Sequence, residues 1–148
     1  MRSIQNRRAL HEYSIIQKFE AGISLMGTEI KSIRSGRINF KDSFAKIKEG
    51  ECWLMNFHIS PWENAAYFNH EAERPRRLLL NRHEIRRIKA KVEEQGMTLV
   101  PLDIYINEKG LCKLTLALAK GKKTYDKRDA LQQKDLQRDK ERSLHFEK

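Results

Sequence analysis

The sequence predicts a mainly β protein with short helices, folded as an antiparallel barrel rather than a doubly wound sheet. Three observations carry this. Strand-like segments are short and numerous, and five or six can be traced by their β-branched and aromatic content. Two connections, Glu49-Gly50 and Glu108-Lys109-Gly110, have the chemistry of tight turns, where glycine supplies the positive φ that hairpins favour. Helical periodicity is confined to two short stretches.

The elements follow in order. Residues 1–10 are polar and basic and read as a weakly structured arm. Residues 13–19 read as the first strand. Gly22 marks a bulge or a tight approach, and residues 23–26 resume the alternation. Thr28 is placed to cap a short helix over residues 30–34, with Ile30 and Ile33 as its apolar stripe and Gly36 as its stop. Residues 43–48 and 52–59 read as a hairpin. Residues 60–77, with Pro61 and Pro75, read mainly as a loop.

The strongest helical signal spans residues 81–92. Asn81 can cap it, Glu84 completes a capping-box pair and Gly96 ends it. Ile85, Ile88 and Val92 form its buried stripe. Leu102, Ile104 and Ile106 then alternate with Asp103 and Tyr105, and Pro101 predicts that this strand begins at an edge or a bulge. Residues 111–119 form the last strand. From Lys120 the character changes: residues 120–148 hold ten Lys/Arg and six Asp/Glu with few large apolar groups. The expected organisation is a body over residues 1–119 and a basic tail over 120–148. The tail is expected to be disordered when free and helical on a partner.

The whole chain is strongly basic. Its 148 residues carry a formal charge of +10 and a pI of about 9.8, which points to a partner with a phosphate backbone. The longest apolar stretch, residues 114–119 around Thr115, is far shorter than the roughly 20 residues a membrane-spanning helix needs. The N-terminus is polar, so neither a leader nor an anchor is expected. Cys52 and Cys112 lack zinc-ligand spacing and read as reduced thiols, core or half-buried, and their pairing in space stays open.

Signals for catalysis are weak. Gly121-Lys122-Lys123-Thr124 resembles the end of a phosphate-binding loop, but position 116 is Leu and position 123 is Lys where that motif needs Gly and Ser/Thr. His11, His58, His70, His83 and His145 have no metal-ligand spacing. Dispersed carboxylates such as Glu29, Glu51 and Glu84 form no motif. No enzyme activity, cofactor or metal is therefore expected. Trp53, Phe57, Trp62, Tyr67 and Phe68 are candidates for base stacking, with Trp62 expected to be the most exposed. Arg74, Arg76 and Arg77, with Lys120, Lys122 and Lys123, are candidates for phosphate binding.

Several segments, taken in order, resemble one family. They are His11-Glu12-Tyr13, Glu20-Ala21-Gly22-Ile23, Gly27-Thr28-Glu29-Ile30-Lys31-Ser32-Ile33-Arg34-Ser35-Gly36, Leu78-Leu79-Leu80, and Ala119-Lys120-Gly121-Lys122-Lys123-Thr124-Tyr125-Asp126-Lys127-Arg128. Together they look like small protein B (SmpB), the SsrA-binding protein family that binds transfer-messenger RNA (tmRNA). The resemblance covers about residues 6–128.

It implies an oligonucleotide-binding-like β-barrel with flanking helices, in a cytoplasmic and monomeric protein. Such a protein binds the tRNA-like domain of transfer-messenger RNA and brings it to stalled ribosomes for tagging of the nascent chain. The implied partners are that RNA, the small-subunit decoding region and mRNA channel of the ribosome, and elongation factor Tu through the alanylated RNA complex. Asn6, Glu20, Leu79 and Lys113 match positions that the family uses for RNA binding. Lys122, Lys123, Tyr125, Asp126, Lys127 and Arg128 match its ribosome-acting tail motif.

Overall fold

The computed structural model describes residues 3–65 and 68–121. Six strands close a ring in the order β8-β4-β5-β7-β2-β9 and back to β8: β2 (Tyr13–Ile23), β4 (Phe44–Lys48), β5 (Glu51–Met55), β7 (Arg76–Leu79), β8 (Thr98–Ile106) and β9 (Cys112–Gly121). All the pairings are antiparallel. A short β1 (Ile4–Gln5) adds to β8, and β3 (Ile38–Asn39) pairs with β6 (His58–Ile59) as a separate ribbon. The expected antiparallel barrel is present.

Closure follows from alternation. Along β9, Cys112, Leu114, Leu116 and Leu118 point inward and meet Phe19, Ala21, Leu54, Leu78 and Ile104 in one core. The outward Ala117 and Ala119 are also buried, because α1 (Arg7–Glu12) covers them with Ala9, beside Val100 and Leu102. Burial on both faces explains why β9 carries the longest apolar stretch of the chain. The small outward alanines let the helix come close.

The hairpin expected at Glu49-Gly50 joins β4 to β5. α3 (Arg82–Gln95) has the expected capping box: Asn81 Oδ1 accepts the Glu84 N–H at 2.8 Å, and Glu84 Oε1 accepts the Asn81 N–H at 3.2 Å. Gly96 ends the helix at φ 64°, a left-handed conformation that glycine adopts without a steric cost. Cys52 and Cys112 are buried, separate free thiols, and burial pushes both up to about 12, so both stay protonated near neutral pH.

Four expectations are corrected. The N-terminal arm is ordered as β1 and α1, because β8 offers it both an edge and an apolar surface. Thr28 does not cap α2 (Gly27–Arg34); Met26 holds that position, and the Thr28 hydroxyl hydrogen-bonds His70 Nδ1 at 2.8 Å. The strand expected over residues 52–59 breaks at Asn56, whose φ of 61° takes the chain out of β5 and delivers Phe57 into the core against Phe40. Residues 60–77 do not end as a loop, since β7 begins at Arg76. That strand was masked in the sequence by an arginine pointing inward.

Arg76 is fully buried, and its partner is Glu29 on α2, also fully buried. Arg76 Nε donates to Glu29 Oε2 at 2.7 Å, and its other nitrogens donate to the carbonyls of Phe57 at 2.6 Å and Ala72 at 3.0 Å. Glu29 also accepts from Arg74 at 2.8 and 3.0 Å and from the Met26 N–H at 2.8 Å. Burial alone would push the Glu29 carboxyl up. The hydrogen bonds from Arg74 and Met26 and the charge of Arg76 outweigh that and hold it below its ordinary value. This ion group pins α2, β7 and the backbone at Phe57 and Ala72 together.

Candidate nucleic-acid interface

The outward positions of β7, β2, β9 and β8 form one continuous face. Gly22 lies opposite Leu79 on one side and Lys113 on the other, and Lys113 lies opposite Tyr105. One strand register below, Glu20 faces Thr115, Thr115 faces Asp103 and Asp103 faces Gln5 on β1. With strands about 4.8 Å apart, the two rows make a patch about 15 Å wide. Lys18, exposed on the same side of β2, extends it toward α1.

Glu20, Leu79 and Lys113 therefore share one patch, although 93 residues separate the first from the last. Leu79 is 46% exposed, so it is not a core leucine. It lies over Gly22, where a Cβ would stand 3.4 Å from Leu79 Cδ1, and the missing side chain is what lets the leucine lie flat. Glu20 is exposed and accepts a hydrogen bond from the Tyr105 hydroxyl. That bond, helped by slight desolvation and the carboxylate charges of Glu20 and Asp103, raises the Tyr105 phenol above its ordinary value. One oxygen of Glu20 is thus held and the other is available to outside donors.

Asn6 is different. It is 6% exposed and caps α1, its Oδ1 accepting the Ala9 N–H at 3.2 Å. Its Nδ2 donates to the Pro101 carbonyl at 2.8 Å, and its backbone N–H donates to the Leu102 carbonyl at 2.7 Å. These carbonyls lie where the β8–β9 register shifts between Pro101 and Asp103, the bulge that Pro101 predicted. Asn6 stitches the bulge and anchors α1 at the margin of the face. Asn6→Ala is expected to lower stability by roughly 1–3 kcal/mol through the lost cap and the orphaned Pro101 carbonyl, read in a urea titration.

The basic groups divide. Arg76 is buried in its ion group and Arg74 is tied to the same carboxylate, so the expectation of phosphate binding by this arginine run fails for Arg76. Its sequence neighbour Arg77 is exposed, 3.5 Å from Glu51. Lys120 is exposed at the end of β9. Among the aromatics, Phe57 is core, Trp53 and Trp62 are half-buried, and Phe68, 64% exposed, is more open than Trp62. Tyr67 lies outside the described residues, as do Lys122, Lys123, Tyr125, Asp126, Lys127 and Arg128. Among the described residues no group of His, Cys, Asp and Glu is gathered for a metal, and no helix is long and apolar enough to cross a membrane.

Sequence reasoning missed Tyr105, Gly22 and Lys18 as parts of this face. Alternation puts residues 18, 20 and 22 on one side of β2, but only the pairing register brings Tyr105 to Glu20. Tyr105→Phe is expected to leave the unfolding midpoint nearly unchanged, because the pair is exposed. It should also weaken any ligand that Glu20 grips, by about 1 kcal/mol in a binding titration.

The chain matches the family model described as SmpB protein over residues 3–146. It belongs to the SmpB family. An SsrA-binding protein of Moorella thermoacetica is 55% identical over 139 residues, 94% of this chain and 90% of that protein. One of Nostoc sp. is 51% identical over 140 residues, again 94% of this chain and 90% of the relative. A solved SmpB structure, described as "tmRNA-SmpB: a journey to the center of the bacterial ribosome", has a TM-score of 0.72 at 47% identity and covers 97% of this chain and 94% of its own. The likeness to that solved structure extends to the overall fold described above.

Proposed function

We propose that the chain binds the tRNA-like domain of transfer-messenger RNA and delivers it to stalled ribosomes, so that the nascent protein is tagged for degradation. The observation that carries this is the single outer face on which Leu79, Gly22, Lys113, Glu20 and Tyr105 meet, in a chain of the SmpB family. Its chemistry suits a folded RNA: an exposed leucine for an unstacked base, a carboxylate for base amino groups or ribose hydroxyls, and lysines for phosphates. Asn6 contributes by fixing α1 and the β8 bulge beside the face, rather than by a side chain free to reach RNA.

In this reading the body, residues 1–119, supplies RNA affinity, and the tail, residues 120–148, acts on the ribosome near the decoding region and mRNA channel. Elongation factor Tu joins through the alanylated RNA, and the protein works as a monomer in the cytoplasm as a binder and not as an enzyme.

The test is a titration against folded transfer-messenger RNA in excess ordinary tRNA and single-stranded competitor. A strong preference for transfer-messenger RNA supports the reading, and equal binding to every RNA overturns it in favour of a generic barrel binder. Lys113→Ala should weaken binding and reduce the slope of log affinity against log salt by about 0.7–0.9, one phosphate's worth. An unchanged slope would mean that Lys113 touches no phosphate.

A further inference from the structure

Beside the face, at the β1 edge, is a notch of about 560 Å³ lined by residues 3–5, Arg7 and residues 34–36. None of these seven is acidic. Arg7 and Arg34 are both exposed, and among the described residues no carboxylate pairs with either. This contrasts with Arg8, next in the chain to Arg7, which is engaged by Glu12 at 3.3 Å and Asp42 at 2.9 Å. Two arginines of separate helices are thus turned to one concavity and left without internal counter-charge. Ser3, Gln5 and Ser35 add uncharged hydrogen-bonding groups to its wall.

The end of α2 would ordinarily disfavour an anion there, since helix C-termini present unpaired carbonyls. Here those carbonyls are used. Lys31 O accepts from Ser35 N at 3.1 Å, Ile33 O from Gly36 N at 2.9 Å, and Ser32 O from Arg37 N at 2.9 Å. Gly36, at φ 72°, makes this tight closure possible and leaves a wall with no side chain.

The notch is also continuous with the face. Gln5 lines it and is the last member of the row Glu20, Thr115, Asp103, Gln5. A strand of RNA lying across that row leaves the sheet over β1 and arrives at the two arginines. We propose that Arg7 and Arg34 form a phosphate clamp for the RNA backbone, a binding site separate from Lys113 that fixes the direction in which the RNA leaves the barrel. This rests on the RNA-binding reading above. Arginine suits the task because its planar fork can hold two phosphate oxygens at once.

The test is the salt dependence of binding to folded transfer-messenger RNA, with wild type, Arg7→Gln/Arg34→Gln, Arg7→Lys/Arg34→Lys, and Lys89→Gln/Lys91→Gln on α3. The lysine pair on α3 lies off the notch and controls for net charge. Wild-type preference over ordinary tRNA tests the RNA-binding reading by itself. Given that preference, the double glutamine variant at the notch should lose about tenfold in affinity, and its salt slope should fall by about 0.7–0.9 relative to wild type. The lysine variant should keep the slope and recover part of the affinity, and the α3 variant should change little. Equal losses at the notch and on α3 would reduce the effect to the general field of the protein and overturn the clamp. So would an unchanged slope in the notch variant.

Discussion

Glu29→Gln is expected to remove about 3–5 kcal/mol of stability, a large part of the roughly 5–15 kcal/mol that holds a domain of this kind together. The substitution keeps the shape of the side chain and removes its charge. Arg76, wholly buried, then has no counter-ion, and Arg74 loses both of its bonds to a carboxylate. The glutamine offers one acceptor oxygen where four donors now converge on two. The damage spreads, because the remaining donors of Arg76 hold the carbonyls of Phe57 and Ala72. Urea unfolding followed by circular dichroism measures the loss directly. A midpoint like that of the wild type would mean that water reaches Arg76.

Removing both charges should hurt less than removing one. Glu29→Leu with Arg76→Met replaces the pair by apolar groups of similar size and should regain part of the loss. The same group predicts a pH dependence of known sign. A carboxyl held below its ordinary value stabilises the fold fully above the usual carboxylate range, near pH 4.3, and loses that contribution as pH falls through its lower folded value. Wild type should therefore weaken on acidification below about pH 4 more steeply than Glu29→Gln, which has no such carboxyl to protonate.

Tyr125→Ala combined with Asp126→Ala is expected to leave binding to transfer-messenger RNA near normal and to abolish tagging of nascent chains on stalled ribosomes. The face that gathers Glu20, Leu79 and Lys113 lies within residues that end before position 122, and on the proposed reading that face supplies the RNA affinity. Tyr125 offers a ring to stack on a base, and the flanking cations offer charge for ribosomal RNA phosphates. The two readouts are a binding titration and a tagging assay on ribosomes stalled without a stop codon. Parallel loss of both would end the division between body and tail.

Much of the barrel was legible in the chain. Period-two alternation marks β8, a short apolar run marks β9, Glu49-Gly50 marks the hairpin, and Asn81, Glu84 and Gly96 mark α3 at both ends. Each of these signals is local, written in residues a few positions apart, and local propensity and tertiary packing agree there. The signals fail where a distant partner changes the meaning of a residue. Arg76 reads as a surface cation until Glu29, 47 residues earlier, is packed against it. Asn6 reads as a free polar group in a loose arm until the β8 bulge consumes its amide.

The sequence by itself determined the fold class, the basic character and the family resemblance, because turn chemistry, charge and motif order are properties of the chain. Only the tertiary structure decided which of those residues meet. Strand register put Glu20 beside Tyr105 and Gly22 between Leu79 and Lys113, and it separated the cations spent inside the protein from those left facing out. The physical reason is that register comes from closing the ring around one core, a constraint that acts on all six strands at once and on no single segment.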